Sequence, residues 1–276
     1  MANRVSEWFC AEYPSLLKVG LQEYRGWTKD ILNLNHEEDI FKLITLAINW
    51  NTNISWEIGL ATFELLNEEG FLYANELRDL QNAEGVKQRI ESESFKDVLS
   101  LRIRTIQKRP YAKPREINGG PRRSWVDAYH VAAINWDRIR GWMKIDEIEL
   151  GHTPEIDGNK LIENLENLFR INADGKFRIM LKVKAYLICR ELNCQNAAVI
   201  KSKYCCVPDF RVREAMKNLG FPVSYDYFEN SAIIARYFGL LYDLPLFYFF
   251  DECKQHKGSS CRKCTVEELC PSAELR

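Results

Sequence analysis

Apolar and polar residues along this chain recur with the period of a helix almost throughout. In HEEDIFKLITLAINW the apolar positions Ile40, Phe41, Ile44, Ala47 and Ile48 return every three or four residues and so line one helical face. A polar turn around Asn51 and Thr52 follows, after which SWEIGLATFELL resumes the same spacing, so the two segments are expected to pair as helices. Further helices are expected over 74–91, 125–144, 158–170, 176–192, 209–219 and 228–240. Two-residue alternation, the mark of a half-buried strand, is almost absent, so the expected fold class is all-α. Glycine and proline concentrate in KRPYAKPREINGGPRRS, residues 108–124, which marks one long loop.

Composition bounds the architecture. With 276 residues, 46% of them hydrophobic, the chain can bury a substantial core as one large domain or two lobes. No apolar run approaches the roughly twenty residues of a membrane span, and MANRVSEWFCAEYPS has no signal-peptide core. A cytoplasmic monomer with no membrane partner is therefore expected.

A net charge of −1 does not advertise nucleic acid, but the local charge does. Between Arg102 and Arg123 the residues Arg102, Arg104, Lys108, Arg109, Lys113, Arg115, Arg122 and Arg123 meet only Glu116 as an opposing charge. Such a segment can neutralise phosphates, with Tyr111 and Trp125 available to stack on bases; it can equally be a solvated basic loop. Lys254, Lys257, Arg262 and Lys263 form a second basic patch.

That second patch lies inside CKQHKGSSCRKCTVEELC, which holds four of the nine cysteines: Cys253, Cys261, Cys264 and Cys270. Disulfides are rare in a reducing compartment and the cysteine count is odd, so clustered thiols point to a metal. Four thiolates suit either zinc or an iron–sulfur cluster. Seven, two and five residues separate successive cysteines, and only one close pair is present.

Extended to CKQHKGSSCRKCTVEELCPSAEL, the stretch resembles the iron–sulfur loop of the endonuclease III branch of helix-hairpin-helix DNA glycosylases, down to the acidic pair and Leu before the last cysteine. The family spacing is C-x6-C-x2-C-x5-C, so the first gap here is one residue longer. The resemblance implies a [4Fe–4S] cluster on these cysteines, with zinc as the alternative, and a two-lobed HhH-GPD-like helical fold. It would divide the chain into a central lobe over 36–206, with a degenerate hairpin, and a second lobe from 1–35 and 207–276 carrying the cluster loop 253–270. In the first helical pair, the polar turn is similar to the family's turn facing the gap left by a flipped base, which puts Trp50 or Asn51 at the wedge position.

The family's aspartate starts a V-D-T-H-V-x-R helix; the similar stretch here is VPDFRVREAMKNLGF, in which Asp209 takes the aspartate's place, Val212 the following apolar one, and Arg211 replaces the histidine. Its role would be to stabilise the oxocarbenium-like charge that builds on the sugar as the N-glycosidic bond breaks. A helix start also caps with Asp and is expected to keep the carboxylate ionised. The flipped base needs a pocket, for which Trp50, Trp56, Tyr129, His130 and Phe210 are available.

A lyase step would need an unprotonated lysine amine. The resemblance places it in FRINADGKFRIMLKVKAYLICREL, at Lys176, with Lys182 and Lys184 further along. The 33 positions from Lys176 to Asp209 are closer to the spacing of archaeal 8-oxoguanine glycosylases, and the family's L-P-G-V-G hairpin is reduced to Gly175. The expected activity is excision of a damaged or modified base from double-stranded DNA, with AP-lyase activity if the lysine acts. DNA contacts are expected from Arg102, Arg104, Arg109, Lys113, Arg122, Arg123, Lys254, Lys257 and Lys263. The alternative is a metal-cluster nucleic-acid-binding protein without catalysis.

Overall fold

The computed structural model describes residues 4, 28, 30–49, 54–108, 119–171, 181–237, 245–247 and 249–250, with backbone alone at 171, 181 and 182. In chain order the helices are α1 (Glu37–Asn49), α2 (Trp56–Glu68), α3 (Ala74–Leu77), α4 (Leu80–Glu91), α5 (Glu93–Gln107), α6 (Arg123–Ile134), α7 (Trp136–Met143), α8 (Ile145–Glu149), α9 (Gly158–Ile171), α10 (Leu181–Cys194), α11 (Phe210–Asn218) and α12 (Tyr227–Tyr237). A 3-10 turn spans Ser202–Tyr204. The described residues contain no strand, only an isolated parallel bridge between Glu155 and Val199. The protein is all-α.

Helix α1 is the hub. Its spacing predicts one apolar face, yet every residue from Ile40 to Asn49 except Lys42 is buried, because α2, α6 and α10 pack on it from different sides. A helix apolar nearly all round is one that neighbours enclose. At its N-terminus, the Trp136 ring packs edge-on against Phe41 with centroids 5.1 Å apart, and Arg140 pairs with Glu37 at 2.8 Å. These contacts fix α7 to the start of α1.

Three expectations change in detail. The helix over 74–91 is two, because the Asp79 carboxylate accepts from Gln81 N (2.6 Å) and Asn82 N (3.2 Å) and so starts α4 afresh. The helix over 125–144 breaks at Asn135 into α6 and α7. Residues 93–107, which fall between the expected helices, form α5, started by Ser92 Oγ accepting from Phe95 N.

Helices α9 and α10 pack as a hairpin whose outer ends are tied together: Ile156 N donates to Val199 O (3.0 Å) and Val199 N to Pro154 O (2.9 Å). Among the described residues two hydrophobic cores form. The larger spans Leu32 to Cys205; the smaller gathers Cys206, Val212, Ala215, Met216, Leu219, Ile234, Leu246 and Phe249. The chain passes from one to the other across a single peptide bond. Beside that crossing, Ser231 Oγ of α12 donates to Lys203 O (2.7 Å), and the Tyr204 and Phe228 rings lie 5.5 Å apart.

Candidate active site

Asp209 stands three residues beyond that crossing and is the N-cap of α11, with extended backbone (φ −61°, ψ 160°) and its Oδ1 accepting from Phe210 N at 2.7 Å. The expectation that the helix start keeps the carboxylate ionised is only part of the balance. Burial raises the Asp209 carboxyl above its usual value, and this outweighs the Phe210 amide and the Arg211 and Arg213 guanidiniums, which pull it down. Those guanidiniums are held on aromatic faces, Arg211 4.8 Å from the Phe247 centroid and Arg213 5.7 Å from that of Tyr227. Asp209 is thus a partly desolvated carboxyl flanked by two cations.

Lys184 lies in the first turn of α10 and is buried, with its Nζ donating to Ile48 O at 2.7 Å. Burial pushes its amine well below the ordinary lysine value. The group is turned toward the backbone of α1 rather than toward solvent. Lys176 lies outside the described residues, as does the side chain of Lys182.

Trp50 and Asn51 also lie outside the described residues, but the residue before them does not. Asn49 is buried, its Nδ2 donates to Gly59 O (3.0 Å), and its Oδ1 accepts from Tyr129 OH. Among the other candidates for the pocket, Tyr129 is fully buried in the core, Trp56 packs at its edge, and His130 Nδ1 contacts Leu77 O at 2.7 Å. Phe210, next to Asp209, is 55% exposed and meets Phe250 edge-on at 5.9 Å. Of these side chains, Phe210 is the one that offers an open aromatic surface beside the carboxyl.

The basic residues divide. Arg102 is paired with Glu64 (3.1 Å) and Glu68 (2.7 Å) on α2, and those carboxylates raise its pKa. Arg123 is paired with Glu84 and Glu91 on α4. Opposing charge absent from the local sequence is supplied across helix interfaces. Arg104 and Arg122 are exposed. Arg109, Lys113, Lys254, Lys257 and Lys263, together with the ligand candidates Cys253, Cys261, Cys264 and Cys270, lie outside the described residues.

Of the other cysteines, Cys189 and Cys205 are buried free thiols. Burial pushes Cys189 up to about 12, which keeps it protonated and unsuited to nucleophilic attack. Among the described residues no group of three or more His, Cys, Asp or Glu side chains is arranged to hold a metal, and no helix is long and apolar enough to cross a membrane. Compared with protein-family models, with curated proteins and with solved structures, the chain matches none.

Proposed function

We propose that the protein is a DNA glycosylase that extrudes a damaged or modified base from the duplex and cleaves its N-glycosidic bond, with Asp209 as the carboxylate that stabilises the sugar cation. The observation that carries this reading is Asp209 itself. It caps a helix, it is partly withdrawn from water close to where the chain passes between two cores, and an open aromatic ring adjoins it. A fixed anion in a desolvated site stabilises a developing positive charge far better than one in water. Asp209 must be ionised to act. Since burial raises its pKa, the acid limb of base release should lie at higher pH than an ordinary carboxylate would give.

Lyase activity would come from a lysine amine. The amine nitrogen attacks the sugar C1′ as the base leaves with the bonding electron pair and takes up a proton; the C1′–O4′ bond then opens, O4′ keeping that bond's pair and gaining a proton, and the iminium so formed lets a C2′ proton be lost as the 3′ phosphate departs. The burial of Lys184 against Ile48 O removes it from this role, which leaves Lys176, the residue the resemblance favours, and Lys182 as the candidates. Cys253, Cys261, Cys264 and Cys270 would hold a [4Fe–4S] cluster, for which four thiolates are the appropriate donor set. The cluster would brace the loop that carries Lys254, Lys257 and Lys263.

The test is to incubate the protein with duplexes carrying one oxidised, deaminated or alkylated base each and to measure free base by mass spectrometry. Release from one class of duplex supports the reading. Tight binding to every duplex with no base released favours a non-catalytic binding protein.

A further inference from the structure

The ion pairs that fasten Arg102 and Arg123 to neighbouring helices differ in how far water reaches them. The Arg102 side chain is 25% exposed and that of Glu64, one of its partners, 11%, so this clamp is part of the packing between α5 and α2. The Arg123 side chain is 47% exposed, and those of its partners Glu84 and Glu91 on α4 are 41% and 50% exposed. The two edges of its guanidinium are held separately: Nη2 donates to Glu84 Oε1, and Nη1 to Glu91 Oε2 at 2.8 Å. Exposed pairs of this kind hold weakly and give way to a competing anion.

Each carboxylate has an alternative when Arg123 leaves. Glu84 Oε2 is also paired with Lys87 Nζ at 3.2 Å, and Lys87, itself largely buried, is anchored by Asp127 of α6. Glu91 is half exposed and returns to water. The guanidinium has an alternative as well, because its fork of N–H groups matches two oxygens of one phosphate as readily as it matches carboxylates. Arg123 follows Arg122, which is exposed at the N-cap of α6 with extended backbone. An anion drawn to Arg122 is thus brought to the residue beside Arg123.

We propose that Arg123 is a phosphate contact held in reserve: Glu84 and Glu91 occupy its guanidinium in the free protein, and a backbone phosphate of bound duplex DNA displaces them. This rests on duplex DNA being the partner, as the glycosylase reading has it, and not on Asp209 or on which base is removed. Phosphate contacts carry no sequence information, so the exchange weakens the hold on every duplex alike, and undamaged DNA is released sooner. Arg102, whose clamp is packed between helices, takes no part.

The probe is a fluorescein-labelled undamaged duplex, with binding followed by anisotropy across a salt series, so that no catalysis is needed. Arg123→Ala should lower the slope of log affinity against log salt by about one unit. Glu84→Gln combined with Glu91→Gln removes both competing charges and should tighten binding about fivefold to tenfold at low salt. Glu91→Gln alone, which leaves Lys87 its partner Glu84, should tighten it about twofold to threefold. Introduced into Arg123→Ala, the paired substitutions should tighten binding by no more than about twofold, because the guanidinium they release is then absent. Helical circular dichroism identifies a variant that has not folded, and Glu91→Gln and Arg123→Gln then decide.

Equal tightening by the paired substitutions with and without Arg123 would mean that Glu84 and Glu91 act through bulk charge. An Arg123→Ala slope equal to that of wild type would mean that the guanidinium keeps its carboxylates on DNA. Either result overturns the inference and leaves the glycosylase reading in place. Wild type whose affinity for duplex does not fall with salt overturns both.

Discussion

Replacing Lys184 with methionine should make the protein more stable, and the gain should depend on pH in a way that belongs to this residue alone. In the unfolded chain the amine has the ordinary lysine pKa of about 10.4; in the folded protein, burial lowers it well below that. Between the two values the unfolded state holds the proton and the folded state does not, so stability rises with pH, by about 1.4 kcal/mol per unit. Across the window from about pH 8 to about pH 10, allowing for partial titration of the unfolded amine near the upper end, the lysine's contribution changes by about 2.5 kcal/mol. Lys184→Met lacks that dependence. At about pH 8 the variant also escapes the cost of stripping the proton, about 3 kcal/mol, against about 1 kcal/mol for the hydrogen bond that Ile48 O loses. The net gain is about 2 kcal/mol.

Urea unfolding of both proteins at each pH measures this. Buried thiols and tyrosines, among them Cys189, Cys205 and Tyr129, also titrate differently on unfolding and slope the other way, so the quantity to follow is the difference between the two proteins. A difference that falls by about 2.5 kcal/mol from the lower to the higher pH, from about 2 kcal/mol in favour of the variant to slightly in favour of wild type, bears out a neutral buried amine. Parallel stability curves would mean that Lys184 keeps its proton in the fold and would refute the reasoning.

The exposed Arg122 should contact phosphate, so Arg122→Ala should lower the slope of log affinity against log salt by about one unit on duplex DNA. Arg102→Ala should leave that slope alone and cost about 1 kcal/mol in urea unfolding, since its guanidinium is held by Glu64 and Glu68. Gly59→Ala should destabilise by about 1–3 kcal/mol because the new methyl meets Asn49. Gly85→Ala, which meets nothing within 4 Å inside α4, should instead stabilise by about 0.5–1 kcal/mol in the same assay. Anaerobically purified protein should contain iron and sulfide lost on replacing Cys261 and Cys264; stoichiometric zinc without iron would exclude the cluster.

The fold was legible where the signal is local. The three- and four-residue spacing of Ile40, Phe41, Ile44, Ala47 and Ile48 announces α1, and Asp209 after a proline announces the start of α11. Helix α5 was hidden because its buried stripe is thin, Phe95, Leu99 and Ile106 alternating with exposed Val98 and Leu101, while its arginines read as part of a loop. The partners of those arginines are matters of tertiary contact. Glu64 and Glu68 stand one helical turn apart and could be seen as an acidic stripe, but not that Arg102 would lie across it. The burial of Lys184 is likewise invisible in sequence, since a lysine in the first turn of a helix ordinarily reaches solvent, and what encloses it is α1, 136 positions away.

The measurement that bears most directly on the central claim is base release under single-turnover conditions by wild type and by Asp209→Asn, on whichever damaged duplex the wild type processes. The substitution keeps the side chain's size and its capping oxygen while removing the charge. The account predicts that Asp209→Asn binds that duplex as wild type does and releases base at least about a hundredfold more slowly, the order of effect seen when an electrostatic stabiliser is removed. Equal rates of release from the two proteins would contradict it.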